Sequence, residues 1–172
     1  SAAVHSGVLA ARATVIATLD GDGQNPPDEL PRLLAPLLDG PPDLGLVAGE
    51  RVGRQDTASR KIASRLGNGL RVRVLGDGTR DSGCGLKAFR RDAYLALPFF
   101  NHQHRFLPAL FVRDGWQVIH IDVAHRARVA GVSNYGNWQR GLAGAVDLAG
   151  VAWLIRRRKT VRPVELTPGE NR

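Results

Sequence analysis

The chain has 172 residues, 43% of them hydrophobic and 23% charged, the make-up of one globular domain with a buried core rather than of a disordered chain. Its single cysteine, Cys84, excludes an internal disulfide and fits a reducing compartment. The formal charge of +8 is unevenly spread: residues 1–50 hold 2 basic and 7 acidic side chains, whereas residues 51–91 hold 11 basic and 3 acidic. One stretch suits a cation and the next suits anions, the clustering being the signal rather than any single arginine.

In chain order, the patterning predicts a helix over 2–13, an apolar strand over 14–19, a turn over 20–25 and a helix over 27–38. Pro27 followed by Asp28 and Glu29 makes a good helix start, and Gly40-Pro41-Pro42 ends that helix, with Pro36 disturbing its regularity. A strand over 44–49, a helix over 58–73 and a loop to about Gly85 follow. Lys87 to Leu97 reads as a short strand and helix. Val118 to Ala124 reads as a strand with Ile119, Ile121 and Val123 on one buried side. Such alternation predicts an α/β layer fold without internal repeats. A helix over 138–158 and a basic tail complete the chain, which divides into residues 1–137 and 138–172.

Ser1 falls inside a predicted helix and the sequence holds no methionine, so the chain reads as a processed or truncated piece. Residues 1–13 lack the basic start and long apolar centre of a signal peptide. The longest apolar stretch, Gly141 to Ile155, is interrupted by Asp147 and falls short of the ~20 apolar residues that span a bilayer. Trp138 and Trp153 beside Arg156-Arg157-Arg158-Lys159 fit a membrane interface, and fit equally a domain-covering helix with a solvated basic end.

The segment with most chemical content is Asp20-Gly21-Asp22-Gly23-Gln24-Asn25-Pro26-Pro27, at the end of the run Thr14 to Leu19. Alternate residues of an extended segment face the same way, so Asp20 and Asp22 can converge on one cation. Hard oxygen ligands favour magnesium or manganese over zinc. A plain turn is the other reading, since Asp and Gly tolerate left-handed backbone. An EF-hand loop is excluded: Asn25 stands where it needs glycine and Pro31 where it needs the bidentate Glu.

Helix 58–73 places Ile62, Leu66 and Leu70 on one stripe, with Lys61, Arg65, Arg71 and Arg73 around it. Arg60 and Ser64 lie one turn apart, so a guanidinium and a hydroxyl can reach one phosphate; a solvated arginine and serine fit the same spacing. His102, His104, His120 and His125 match no zinc spacing.

Five blocks together resemble family 2 glycosyltransferases of the dolichol-phosphate mannosyltransferase type. They are the Asp20 to Pro27 block; Gly49-Glu50-Arg51; Arg60 with Ser64 and Asn68; Asp81-Ser82-Gly83-Cys84-Gly85-Leu86-Lys87-Ala88-Phe89-Arg90-Arg91; and Arg126 to Tyr135. The resemblance implies a Rossmann-like α/β domain of the GT-A type, incomplete at its amino end, with a C-terminal amphipathic helix and basic tail. It implies inverting transfer of a hexose from GDP-mannose or UDP-glucose to a polyprenyl phosphate at the cytoplasmic membrane face, by a protein peripherally bound there.

The same resemblance assigns Mg2+ or Mn2+ to Asp20, Asp22 and Gln24, and the acceptor phosphate to Arg51, Arg60 and Ser64. It makes Asp81, with Asp22, the catalytic carboxylates, and gives Arg128 and Ser133 to the diphosphate or acceptor. Asn134 stands where the family's Arg-x-x-Gly-x-Ser-Lys element has lysine, and no Tyr-Asn-Glu-like element precedes Asp20. The base-and-ribose half of the family's site is therefore missing from this reading. A non-catalytic basic module on anionic membrane is the rival class. Nucleic acid is disfavoured, since only 6% of residues are aromatic and no binding motif is present.

Overall fold

The computed structural model describes residues 1–52, 69, 71–124, 126 and 137–158, with the backbone alone for 137–143. Its centre is a four-stranded sheet in the order β1-β3-β2-β4, with β1 at Val15–Thr18, β2 at Leu44–Arg51, β3 at Lys87–Arg90 and β4 at Gln117–Val123. β3 runs antiparallel to both β1 and β2, whereas β4 lies parallel to β2. β1, β2 and β4 therefore point the same way, and their carboxyl ends lie at one edge of the molecule.

Among the described residues the sheet is accompanied by α1 (Ala2–Ala10), α2 (Leu30–Asp39), α3 (Arg91–Leu95), α4 (Leu107–Arg113) and α5 (Asn137–Arg156). On one face α2 buries Leu33 and Leu37 against Leu44, Val47, Leu86, Ala88 and Val123. Each fully buried leucine is worth about 1.5–3 kcal/mol of transfer free energy. On the other face Val8 of α1, the α4 residues Leu107, Leu110 and Phe111, and Val151 of α5 close over Leu46 and Phe89.

The predicted strands and most predicted helices are present, with shifted ends. The first helix stops at Ala10, where Ala11 is already extended, and the second begins as a single 3-10 turn at Pro27–Glu29. Ile119, Ile121 and Val123 do pack together on the α2 side. The opposite side of β4 is not open, however, because Val118 packs into the other cluster and His120 bonds Thr79. The predicted helix 58–73 lies largely outside the described residues, which show helix at 71–75.

The sequence pattern assigns no element between Leu97 and Val118, yet α4 is there. Its run Leu107 to Phe111 is buried at every position, so no polar face marks a helical period. α5 turns Leu148, Val151 and Ile155 inward and leaves Val146 and Trp153 65% and 59% exposed. The Arg113 Nε donates to the Leu154 carbonyl at 3.0 Å and fixes that packing. Among the described residues no helix is long and apolar enough to cross a membrane.

Candidate active site

Two segments meet at the carboxyl ends of the strands. The first is the turn after β1. The Thr18 hydroxyl donates to the Gly85 carbonyl at 2.7 Å and lies 3.4 Å from the Lys87 carbonyl, so β1 delivers the following residues against the loop that precedes β3. Asp20 then lies flat on Gly85: a Cβ there would come within 2.3 Å of the Asp20 carboxylate, a clash with its Cγ and both oxygens. Glycine at position 85 is what allows the approach.

Within the turn, the Gln24 amide donates to Asp22 Oδ1 at 3.2 Å, Asn25 Nδ2 reaches Asp20 Oδ2 at 3.5 Å, and Gly23 takes φ +74°. The turn chemistry is thus real, and it leaves both carboxylates on the rim. The chain just beyond β4 closes over it, as the Arg126 amide donates to the Gln24 carbonyl at 2.9 Å. The Ala124 amide donates to Glu29 Oε1 at 3.0 Å. That hydrogen bond, with Arg32 adding to it, holds the Glu29 carboxyl below its usual range.

Two carboxylates and a side-chain amide on one turn form a hard-oxygen donor set suited to magnesium or manganese. Among the described residues no group of three or more His, Cys, Asp and Glu side chains gathers as a complete metal site. An ion held by Asp20, Asp22 and Gln24 would therefore take the rest of its shell from water and a diphosphate, as magnesium does when it serves phosphates.

The second segment is the loop around Asp81, joined to the end of β2 by a crossed pair of ion pairs. Arg51 grips Asp81 bidentately, Nε to Oδ2 at 2.6 Å and Nη2 to Oδ1 at 2.8 Å, and its own backbone amide lies 3.3 Å from Oδ2. One residue earlier in each segment the polarity reverses. Buried Glu50 accepts from the Arg80 amide at 2.7 Å and from the Arg80 guanidinium, which also reaches Asp122 at 2.7 Å. The hydrogen bonds it donates to Asp81 raise the Arg51 guanidinium above its usual range.

The Arg51 fork therefore faces a carboxylate in this structure, whereas the sequence reading gives it to a phosphate. Asp81, with the Gly83 amide at 3.3 Å from Oδ1 as well, is a neutralised and oriented carboxylate. This arrangement suits holding groups in place more than removing a proton.

Between the segments lies Lys87, which the sequence reading passes over. It is 3% exposed on β3 and donates to the Cys84 carbonyl. Burial pushes its ammonium below the usual lysine range, with Cys84, Asp81 and Asp20 pulling it back. The signal that marks it is a lone lysine inside the strand-like run Leu86-Lys87-Ala88-Phe89. Burial raises the Cys84 thiol, consistent with a packed rather than reactive cysteine.

Arg60, Ser64, Arg128 and Ser133 lie outside the described residues. His102, His104 and His120 serve separate contacts, with Asp147, Ser1 and Thr79 in turn, and His125 lies outside the described residues. A cleft of about 610 Å³ lined by Leu97, Trp116 and Arg157 lies at the amino ends of the strands, away from the acidic turn.

A parallel core with an antiparallel strand inserted and an acidic turn at its carboxyl end is the GT-A arrangement. Solved structures agree. Glucosyl-3-phosphoglycerate synthase from Mycobacterium tuberculosis, in complex with Mn2+, UDP-glucose and phosphoglyceric acid, superposes with TM-score 0.62 at 20% identity over 88% of this chain and 54% of that one. The chain belongs to glycosyl transferase family 2, whose model matches residues 1–97.

Among curated relatives it is 38% identical, over 77% of its length, to 40% of the undecaprenyl-phosphate 4-deoxy-4-formamido-L-arabinose transferase of Pectobacterium carotovorum subsp. carotovorum (strain PC1). It is 35% identical, over 91% of its length, to 46% of the dodecaprenyl-phosphate galacturonate synthase of Rhizobium johnstonii (strain DSM 114642 / LMG 32736 / 3841). The chain thus spans about 40–46% of the length of these relatives.

Proposed function

We propose that this chain carries the metal and acceptor side of a site that transfers a sugar, with inversion, from a nucleoside-diphosphate donor to a polyprenyl phosphate. The observation behind the reading is the meeting of the Asp20 turn and the Asp81 loop at Gly85. Relatives named for transfer to undecaprenyl and dodecaprenyl phosphate support the acceptor class.

In this reading Asp20, Asp22 and Gln24 hold Mg2+ or Mn2+, which supplies charge neutralisation to the departing diphosphate. A lipid-phosphate oxygen attacks the anomeric carbon, and the bond to the nucleoside diphosphate breaks on the opposite face. That oxygen is already largely anionic at neutral pH, so no strong base is needed. Asp81, anchored by Arg51, orients the reacting groups. Arg60 and Ser64 take the acceptor phosphate, while Arg128 and Ser133 meet the diphosphate or the acceptor. The exposed Trp153, with Arg157 stacked 5.8 Å over its ring, and the neighbouring basic residues face an anionic membrane surface.

The test is transfer of labelled sugar to a short polyprenyl phosphate, in the full-length protein that contains this chain. The donor panel includes UDP-glucose, GDP-mannose and the donors of the two relatives' sugars. Product that forms with Mg2+ or Mn2+ and vanishes with chelator supports the reading, and no product from any donor sinks it. Arg60→Ala and Ser64→Ala raise the acceptor KM about tenfold, since each removes a phosphate contact of roughly 1–2 kcal/mol, and leave the donor KM within twofold. Equal effects on both substrates refute the division of the site.

A further inference from the structure

Lys87 is chemically expensive where it stands. Its position on β3 is 3% exposed between Leu86 and Ala88, each wholly buried. A methionine of similar reach would fill the same space without burying a charge, and a buried charge is costly unless hydrogen-bonded and paired. The ammonium donates to the Cys84 carbonyl. Cys84 lies inside a five-residue turn, Asp81 to Gly85, whose two ends touch the two carboxylates of the site.

At one end of that turn, the Gly83 amide donates to Asp81 Oδ1 at 3.3 Å and the Cys84 amide lies 3.4 Å from the Asp81 carbonyl. Gly83 also lies under the Arg51 guanidinium, 3.1 Å from where its Cβ would be. At the other end, Gly85 supports Asp20 and its carbonyl takes the Thr18 hydroxyl. The Cys84 carbonyl between them is tied by Lys87 from beneath. A shift of this turn displaces Asp20 and Asp81 together.

We propose that Lys87 is a positioning residue of the transfer site, whose buried ammonium holds the Asp81 to Gly85 turn so that the acidic turn and the Asp81 loop keep their mutual placement. Its charge also balances the carboxylates gathered on either side of the turn. Only the catalytic consequence rests on the transfer reading; the ordering of the turn does not.

The experiment compares Lys87→Met, which keeps the volume and loses the charge and donor, with Lys87→Arg, which keeps both. Hydrogen exchange reads the turn directly. In Lys87→Met the Gly83 and Cys84 amides exchange at least about tenfold faster, a local opening, while the β2 amides at Leu46 to Gly49 keep their parent rates. In the active full-length enzyme, kcat falls about tenfold, the lower end of what supporting contacts around a metal site contribute, with acceptor KM within twofold. Lys87→Arg stays within about threefold of the parent in both readouts.

Parent-like exchange at Gly83 and Cys84 in Lys87→Met overturns the proposal, as does faster exchange spread evenly over β2 and the turn. If Lys87→Met does not fold, Lys87→Gln, which keeps a donor and loses the charge, is measured in the same way, and the same two results overturn the proposal. A parent that transfers no sugar sinks the functional reading, while the exchange result still decides the role of Lys87.

Discussion

At the amino ends of the parallel strands Arg90 and Arg91 meet carbonyls, whereas Arg51 and Arg80 at the carboxyl ends meet carboxylates. Arg90, at the far end of β3, donates to the Leu44 carbonyl at 2.8 Å and reaches the carbonyls of Leu37 and Pro41 at 3.3 and 3.5 Å. Arg91 caps α1 through the carbonyls of Val8 and Leu9 at 3.0 and 3.2 Å. These are neutral acceptors at helix and loop ends, and the arginines there close the fold. Arg51 and Arg80 instead pair with Asp81, Glu50 and Asp122 around the acidic turn. Charge gathered against charge, at the ends where parallel strands leave an open crevice, is the arrangement of a site. The same residue type thus closes the fold at one end and, in the transfer reading, orders the site at the other.

The sharpest break of this comparison is at the turn. Asp22→Asn and Asp20→Asn in the full-length enzyme lower transfer by about 10³-fold or more, the scale of a lost electrostatic stabiliser of the leaving group. The melting temperature stays within about 2 °C, since neither carboxylate is buried in the core. Turnover near the parent rate at limiting metal in both variants removes the metal assignment.

Next in size is the crossed pair. Arg51→Met strands an Asp81 side chain that is only 10% exposed, which costs about 3 kcal/mol in urea unfolding. Adding Asp81→Asn restores most of that stability but not transfer. If the single variant is as stable as the parent, the pair is not holding the loop.

Arg90→Met is the matching change at the other end. It loses a half-buried cation and its carbonyl contacts, for about 1–2 kcal/mol, and transfer per folded molecule stays within twofold. A kcat loss as large as that of Arg51→Met would dissolve the distinction between the two ends.

The parts visible in the sequence are those written in local pattern. The β1 run and the Asp20 to Pro27 turn stand next to each other, so strand, turn and carboxylates are read in one glance, and the structure keeps them together. What stays hidden is long-range. Arg51 and Asp81 are 30 residues apart, and nothing local says that a β2 arginine turns onto that carboxylate rather than onto a phosphate. α4 is hidden for the opposite reason, since burial at every position from Leu107 to Phe111 erases its period. The insertion of β3 between β1 and β2 is likewise invisible, because a four-residue strand shows no direction.

The smallest expected effect lies away from both ends of the sheet, at His104. Burial first, with the positive charges of Arg105, Lys87 and His102 adding to it, holds its ring down to about 4. Its Nδ1 lies 2.7 Å from the Ser1 hydroxyl. The unfolded chain takes up that proton near the ordinary imidazole value of about 6.5. Between about pH 6.5 and pH 4 the unfolded state therefore binds more protons than the folded one, and stability rises with pH across that window. The contribution is complete above about pH 6.5, drains as pH falls, and loses nothing more below about pH 4. The side chain is partly exposed, so solvent screening reduces the effect, and a fall of about 3 °C in melting temperature between about pH 7 and pH 5 is expected. His104→Gln, which cannot titrate, flattens this part of the profile, and transfer measured at pH about 7.5 stays within twofold. A parent profile that is flat over the window, or one that His104→Gln leaves unchanged, shows that the ring is not held neutral by the fold.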